Sequence, residues 1–262
     1  MPVVGRARRI LRWLTVRGAR DATAFTAGRS ALIVAPHPDD ETLGCGALIL
    51  RKRHNGTTVT LAVVTDGRHS HRSDSFSPGE LAQLRRQELR EAASRLALPE
   101  DSVRWLGIED GTVAENEDSL VGQLVALLTE LCPDELYATC ADEPHPDHAS
   151  VGRAARRAAH EVAGVTLLEY PIWLWNTWPL RKGDRIASTL AALTRMIPGG
   201  CWKVGTGRYV DKKLFALQAH GSQVRRPSTV PPTMEWGVLP EPMLAAASGP
   251  FELFFRTPPL AS

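Results

Sequence analysis

The chain has 262 residues, of which 43% are hydrophobic, and its formal net charge is +2. This length and apolar content allow one large α/β domain with a sizeable core, and the small net charge indicates no nucleic-acid partner. No apolar run approaches the roughly 18 residues of a membrane span, and no apolar stretch of signal-peptide type follows the first arginines. These observations, with four cysteines that form no CxxC pair, predict a cytoplasmic protein with reduced thiols.

The first twenty residues are strongly basic. They contain six arginines, Arg6, Arg8, Arg9, Arg12, Arg17 and Arg20, interleaved with apolar residues such as Trp13 and Leu14. Two interpretations stay open: a helix packed at the periphery of the domain, or an amphipathic segment that makes peripheral contact with anionic lipid. We treat residues 1–28 as a basic N-terminal extension and residues 29–262 as a single domain.

Apolar runs alternate with helical patterns through the first two-thirds of the chain. Strands are predicted at 31–34, 58–65, 103–106, 135–139 and 165–170, and helices at 43–54, 80–98, 119–131 and 149–162. Strands that alternate with helices pair in parallel through right-handed crossovers. We therefore predict an α/β fold with a Rossmann-like, doubly wound, mostly parallel sheet over residues 29–170. Residues 171–262, rich in Trp and Pro, are predicted to form an irregular cap with a helix at 208–219 and a closing strand at 251–256.

Two clusters of His and Asp follow the first and fourth predicted strands. The first is Ala35-Pro36-His37-Pro38-Asp39-Asp40-Glu41, and the second is His145-Pro146-Asp147-His148. Ligands of doubly wound sheets bind beyond the carboxyl ends of the strands, so both clusters are expected at one site. One cluster alone fits a turn with a capping aspartate. Two clusters favour a catalytic metal site with nitrogen and oxygen ligands, most simply Zn²⁺, with iron or manganese also compatible.

The same residues carry a family resemblance. Residues 35–46 (Ala-Pro-His-Pro-Asp-Asp-Glu-Thr-Leu-Gly-Cys-Gly), with Pro-His-Pro-Asp-His at 144–148, resemble the PIG-L (LmbE-like) metal-dependent de-N-acetylases. The resemblance implies a Rossmann-type sheet and removal of acetyl groups from N-acetylglucosamine units of glycoconjugates. By motif position it implies zinc ligands at His37, Asp40 and His148, and a general base at Asp39. It further implies that His145 faces the substrate carbonyl and that Asp147 orients His145.

Three further positions match the family pattern less sharply and are predicted substrate contacts. Arg85 either binds sugar hydroxyls or phosphate, or forms an ion pair on a solvated helix face. Asp66 either binds sugar hydroxyls or caps a turn. His220 either faces the cleft or is a buried structural histidine.

Aromatic and histidine side chains outside the two motifs raise additional hypotheses. The tryptophans Trp173, Trp175 and Trp178 either stack on sugars or hydrophobic aglycones, or pack inside the cap. His69 and His71 lie in a polar loop at 68–79 that we interpret as a flexible substrate loop rather than a second metal site. The chain has no tyrosine before the second motif, where some relatives have one, and Tyr170 is a substitute only if the fold brings it near.

The sequence therefore predicts a zinc-dependent hydrolase that removes the acetyl group from an N-acetylglucosamine-type amino sugar in a glycoconjugate. Cleavage of another amide bond of a sugar conjugate is the alternative within the same class. A non-catalytic carbohydrate-binding Rossmann-like protein is the alternative from another class, and it would be expected to lack Asp39 or a metal ligand. A nucleotide-binding module is disfavoured because carboxylates, which repel phosphate, stand where its glycine-rich loop would be.

Overall fold

The structure is a computed structural model that describes residues 12–71, 76–162, 164–177, 200–231, 233 and 235–256. Its strands are β1 Arg20–Asp21, β2 Ala31–Ala35, β3 Val59–Val63, β4 Val103–Trp105, β5 Glu135–Thr139, β6 Thr166–Tyr170, β7 Cys201–Gly205 and β8 Phe251–Arg256. They form one sheet in the order β1-β7-β8-β6-β5-β2-β3-β4. Strand β8 is antiparallel to β6 and β7, and the other neighbours pair in parallel. The predicted mixed α/β fold with a mostly parallel sheet is confirmed.

Helices cover both faces of the sheet. They are α1 over residues 12–18, then α2 Thr23–Ala27, α3 Asp40–His54, α4 Pro78–Arg95, α5 Glu117–Leu131, α6 Pro146–Glu161, α7 Leu174–Thr177, α8 Val210–Leu217, α9 Gly221–Val224 and α10 Glu241–Ala247. Helices α3 and α6 begin three residues earlier than the sequence predicted. The reason is that part of each His/Asp motif forms the first turn of the helix that follows it.

Strand β2 lies at the centre of the core and is buried on both faces. Ile33 and Ala35 pack with apolar residues of α3, α4 and α8, whereas Leu32 and Val34 pack with those of α5 and α6. Helices on both faces explain why this strand is a continuous apolar run rather than an alternating one.

The order of the strands reverses beside β2. Strand β3 lies on one side of β2 and β5 lies on the other, so the crossovers leave β2 and β5 in opposite directions. This arrangement opens a crevice at the carboxyl ends of the two strands. The first motif follows Ala35 and the second follows Thr139, so the topology brings both motifs to this crevice.

The C-terminal region is more regular than the predicted cap. Strand β8 has the predicted bounds 251–256, and the predicted helix at 208–219 is a short 3₁₀ turn followed by α8. Strand β7 was not predicted, because Cys-Trp-Lys-Val-Gly shows no clear alternation of apolar and polar residues. It is part of the sheet because it pairs with β8 along five residues. Trp178 and the rest of 178–199 lie outside the described residues.

The N-terminal segment packs against this edge of the sheet. Thr15 in α1 and Ala19 just after it are buried, while Trp13 and Leu14 are exposed. Strand β1 pairs with β7. Part of the predicted extension is thus built into the sheet. Lipid contact by the arginines stays a prediction, since Arg6, Arg8 and Arg9 lie outside the described residues. Among the helices of the described residues, none combines the length and apolar character needed to cross a bilayer.

Candidate active site

Three side chains from the two motifs converge in the crevice. The His37 Nδ1 and His148 Nε2 atoms lie 3.1 Å apart, and Asp40 Oδ2 lies 3.5 Å from the first and 3.4 Å from the second. All three residues are buried. Donor atoms around a four-coordinate metal with bonds of about 2.0–2.1 Å lie about 3.3–3.4 Å from one another. The spacing of these donors therefore fits a metal ion without rearrangement.

The second ring nitrogen of His37, Nε2, is held by two carboxylates. His37 Nε2 lies 3.0 Å from Asp110 Oδ1 and 3.2 Å from Asp147 Oδ2, and Asp147 itself accepts backbone N–H groups of Gly111 and Val113. A proton on Nε2 leaves the lone pair of Nδ1 directed at His148 and Asp40, as a metal ligand requires. Asp147 therefore contacts His37 and helps to orient its ring, and orientation of His145 by Asp147 stays a prediction.

Asp110 is a site residue that sequence reasoning missed. It follows β4 in Gly107-Ile108-Glu109-Asp110-Gly111, so it too lies beyond the carboxyl end of a parallel strand. That position was the available signal, but a single aspartate in a polar turn does not stand out. Its second oxygen accepts the backbone N–H of His69 at 2.7 Å, which ties the 66–71 loop to the site.

The electrostatics of the cluster favour a bound cation. Burial acts to lower the pKa of His37, but its contacts with Asp110, Asp147 and Asp40 raise that pKa well above the usual value. Burial lowers the pKa of His148 to about 3, so this imidazole is neutral and free to act as a ligand. A set of anionic and neutral donors that attracts positive charge in this way is suited to a divalent metal.

Asp39 stands beside the donors in a constrained position. Its φ of 134° lies in a region that side chains rarely adopt, and its backbone N–H donates to Glu41 Oε2 at 3.0 Å. Arg85 donates to Asp39 Oδ2 at 3.2 Å and to the carbonyl oxygens of Pro38 and Gly67. Burial raises the pKa of Asp39 to about 7, with Arg85 opposing the rise. Asp39 caps no helix with its side chain, so the capping interpretation does not apply to it.

His145 and Trp173 form one wall of the crevice. Their rings stack with centroids 6.0 Å apart and planes 24° from parallel, and His145 Nδ1 is buried without a hydrogen-bond partner among the described residues. Burial and the neighbouring His37 lower the pKa of His145, which keeps the imidazole neutral. The buried Glu143 accepts the backbone N–H groups of Ile172 and Leu174 and thereby fixes Trp173 between them.

The remaining predicted residues take varied positions. Arg85 is buried and lines the crevice, so it is no part of a solvated helix face. Both oxygens of Asp66 are bonded by Arg68, and sugar binding by Asp66 stays a prediction. His220 is fully buried and its Nε2 lies 3.2 Å from Glu41 Oε1, which matches the structural alternative.

Two further hypotheses are answered by the packing of the side chains. Tyr170 is fully buried and its hydroxyl donates to the Val34 carbonyl at 2.7 Å, so it does not replace the absent tyrosine. His69 Nε2 lies 3.2 Å from Glu109 Oε1, whereas His71 stacks on Trp236. The two histidines thus have separate partners, as expected of loop residues rather than a second metal site.

The fold and the site define an α/β protein with a cluster of His and Asp side chains suited to a metal ion. The cluster lies where the order of the strands reverses beside β2. The chain matches the family PIG-L, described as GlcNAc-PI de-N-acetylase, over residues 32–159. It is 31% identical over 201 residues to the probable N-acetyl-alpha-D-glucosaminyl L-malate deacetylase 2 of Bacillus subtilis, with 73% of this chain and 82% of that protein aligned. The chain therefore belongs to the PIG-L (LmbE-like) family of amide-hydrolysing deacetylases.

Other relatives agree with this assignment. The chain is 24% identical over 241 residues to the 1D-myo-inositol 2-acetamido-2-deoxy-alpha-D-glucopyranoside deacetylase of Thermobifida fusca, covering 75% of this chain and 84% of that protein. The probable N-acetyl-alpha-D-glucosaminyl L-malate deacetylase 2 of Bacillus cereus is 30% identical to this chain over 135 residues. The alignment spans 50% of this chain and 60% of that protein.

Solved structures share the fold. The N,N'-diacetylchitobiose deacetylase from Pyrococcus horikoshii superposes with a TM-score of 0.63 at 22% identity, covering 97% of this chain and 90% of that one. The A40926 pseudoaglycone deacetylase Dbv21 gives a TM-score of 0.64 at 18% identity, covering 90% of this chain and 99% of that one. At such identities the agreement concerns the architecture of the sheet and its helices.

Proposed function

We propose that this chain is a zinc-dependent hydrolase that removes the acetyl group from an N-acetylglucosamine-type amino sugar in a glycoconjugate. The observation that carries the proposal is the convergence of His37, Asp40 and His148, with Asp39 held beside them by Arg85. The relatives that align over most of this chain are named as deacetylases of N-acetylglucosaminyl conjugates, which supports the choice of substrate.

In this proposal His37, Asp40 and His148 hold the metal. A divalent metal in such a site supplies positive charge that makes water a better nucleophile near neutral pH and polarises a carbonyl group. Two neutral imidazoles and one carboxylate form the ligand set of many catalytic zinc sites, and the absence of a thiolate from the set leaves iron and manganese compatible with it.

Asp39 is the proposed general base. A carboxylate whose pKa lies near the working pH can take a proton and give it back within one catalytic cycle, and burial raises the pKa of Asp39 to about 7. Arg85 fixes one carboxylate oxygen of Asp39, so the other oxygen can accept the proton of water.

His145 is proposed to act on the acetyl carbonyl. Its ring is held by Trp173, and its lowered pKa keeps it a neutral hydrogen-bond donor. Such a donor stabilises negative charge that develops on the carbonyl oxygen. One water adds its hydroxyl to the acetyl carbon, the C–N bond breaks, and the acetic acid formed leaves and loses its proton to solvent as acetate. The amine nitrogen departs with the proton that Asp39 took from water.

The test compares metal content with acetate release. We expect about one zinc per chain in the purified protein, and acetate release from a panel of N-acetylglucosamine conjugates. Asp39→Asn should retain zinc and lose acetate release by at least about 10²-fold, because asparagine keeps the shape of the side chain but cannot take a proton. His37→Ala should lose zinc and activity together, whereas Asp118→Asn, at an exposed side chain of α5, should retain both.

Two results would contradict the proposal. Folded protein that contains no zinc and takes up none would exclude the metal site. Zinc binding without acetate release from any conjugate would move the reaction to another amide bond of a sugar conjugate, the alternative within the same class.

A further inference from the structure

The proposed base Asp39 has a backbone conformation that its surroundings must hold in place. Its φ of 134° is sparsely populated by residues with a side chain, and such a conformation persists only where neighbouring contacts fix it. The carbonyl oxygen of Asp39 accepts the backbone N–H groups of Thr42 and Leu43 in the first turn of α3. Because φ is the rotation about the N–Cα bond, a second contact on the amide side is needed to fix it.

Glu41 supplies the contact on the amide side. Its Oε2 accepts the backbone N–H of Asp39 at 3.0 Å, and both residues are buried. A buried N–H group without an acceptor is costly, so this bond favours the conformation in which the Asp39 amide faces Glu41. Arg85 holds the other end of the residue by its bond to Asp39 Oδ2 at 3.2 Å. The base is thus fixed at its backbone and at its side chain.

Glu41 is itself held by a histidine from the C-terminal part of the chain. His220 Nε2 lies 3.2 Å from Glu41 Oε1, and neither side chain is exposed to solvent. The same oxygen accepts the hydroxyl of Thr42. An ionised carboxylate has no proton to donate, so Nε2 of His220 is the donor in this contact. With Oε1 engaged in this way, Oε2 stays directed at the amide of Asp39.

His220 is placed by the helix that also carries Arg85. Ser222, two residues after His220, donates its backbone N–H and its hydroxyl to Glu88 of α4, at 2.6 and 2.7 Å. Glu88 follows Arg85 by three residues, on the same side of α4. One helix therefore anchors both contacts to the base, the direct one and the one that passes through His220.

We propose that His220 is a positioning residue for the general base and acts through Glu41 on the backbone of Asp39. The inference rests on the proposed deacetylase function and adds a residue to its machinery. His220 is fully buried and is not among the residues that line the crevice, so substrate does not touch it. A displacement of about 1 Å in a catalytic group lowers the rate by about 10²-fold, which makes such indirect support measurable.

The test compares two substitutions of His220 that differ in a hydrogen-bond donor. His220→Leu removes the donor, whereas His220→Gln keeps an amide N–H that can reach Glu41. We expect kcat for acetate release to fall by about 10–100-fold in His220→Leu and by less than about threefold in His220→Gln. KM and the zinc content should stay unchanged in both. If His220→Leu does not fold, His220→Asn replaces it, because its amide is too short to reach Glu41.

Tyr137→Phe is the matched control for the loss of a buried contact. It too removes a side-chain donor to a buried carboxylate, since the Tyr137 hydroxyl lies 2.7 Å from Glu135 Oε2. That contact lies in β5, whose first residue is Glu135, at the end of the strand opposite the crevice. Urea denaturation of each variant measures its free energy of unfolding. The control should lose stability and keep kcat, which separates positioning of the base from general destabilisation.

A second arm tests whether the effect passes through Asp39. In Asp39→Asn the base is already absent, so adding His220→Leu should lower the residual kcat by less than about twofold. A further loss of about 10–100-fold in that background, or loss of zinc on substitution of His220, would show that His220 supports the whole site and would overturn the inference.

The remaining outcomes separate the two proposals. An unchanged kcat in His220→Leu, or an equal loss in His220→Gln, would overturn the positioning role and leave the deacetylase function intact. Acetate release from no conjugate by the unsubstituted chain would overturn the proposed function and the inference with it.

Discussion

Gly152 is the position where a single methyl group should disturb the site most informatively. It lies in α6, one turn after His148, against the end of β5. A Cβ atom added at Gly152 would lie 2.5 Å from the Ala141 backbone nitrogen and 2.6 Å from the Thr139 carbonyl oxygen. Both neighbours are backbone atoms, so neither can rotate away, and Gly152→Ala must push α6 from the sheet.

The size of the effect follows from these distances. Ordinary contacts of a Cβ begin at 3.4 Å, so α6 has to move by roughly 0.9 Å. Overpacking of this kind lowers the free energy of unfolding by about 1–3 kcal/mol. The same shift displaces His148, whereas metal ligands tolerate deviations of only about 0.2 Å. We therefore expect zinc affinity to fall by about 10–100-fold as well.

The assay is urea denaturation combined with zinc titration of the apoprotein. Gly122→Ala is the matched control, because Gly122 lies in α5 with no atom within 4 Å of the added Cβ. That control should keep zinc affinity and gain up to about 1 kcal/mol from helix propensity. If Gly152→Ala equals Gly122→Ala in both measurements, the close packing of α6 on β5 does not position the site and the reasoning fails.

Three further substitutions test other parts of the structure. Lys213→Met should lower the free energy of unfolding, measured in urea, by about 3–5 kcal/mol, because it removes the ammonium group that lies 2.8 Å from the buried Glu252. The double variant with Glu252→Leu should recover part of that loss. No recovery would contradict the pairing of the two side chains. Ser77→Ala removes the side-chain cap of α4. It should lower the free energy of unfolding by about 1 kcal/mol, and the zinc content should stay unchanged. Arg85→Lys should lower kcat by about 10–100-fold while zinc stays bound, because one ammonium group cannot replace the three contacts of the guanidinium group; an unchanged kcat would refute a positioning role.

The burial of two ion pairs is a feature of the structure that the sequence did not predict. The buried ion pair Lys52–Glu135 and the pair Lys213–Glu252 lie within runs that the sequence assigned to helices and strands. Their burial was not foreseen, because a charged residue in an amphipathic pattern is ordinarily solvent-exposed. Only the tertiary structure brings Lys52 of α3 to Glu135 of β5, and Lys213 of α8 to Glu252 of β8.

The amino-acid sequence by itself determined the class of fold and the two motifs. Continuous apolar runs alternating with helical periods require a parallel sheet covered on both faces, and this pattern is local enough to be read directly. His37, Asp39, Asp40 and His148 were identifiable because each motif is compact and directly follows a strand, so its place at the edge of the sheet is set by chain connectivity.

Tertiary structure decided the contacts between segments that are distant in the chain. The contact of Asp147 with His37, the participation of Asp110 and the burial of His220 against Glu41 all depend on which strands are neighbours. The stacking of His71 on Trp236 likewise joins residues that are 165 positions apart in the chain. Such contacts are set by packing free energy summed over the whole core, and no window of neighbouring residues contains that information.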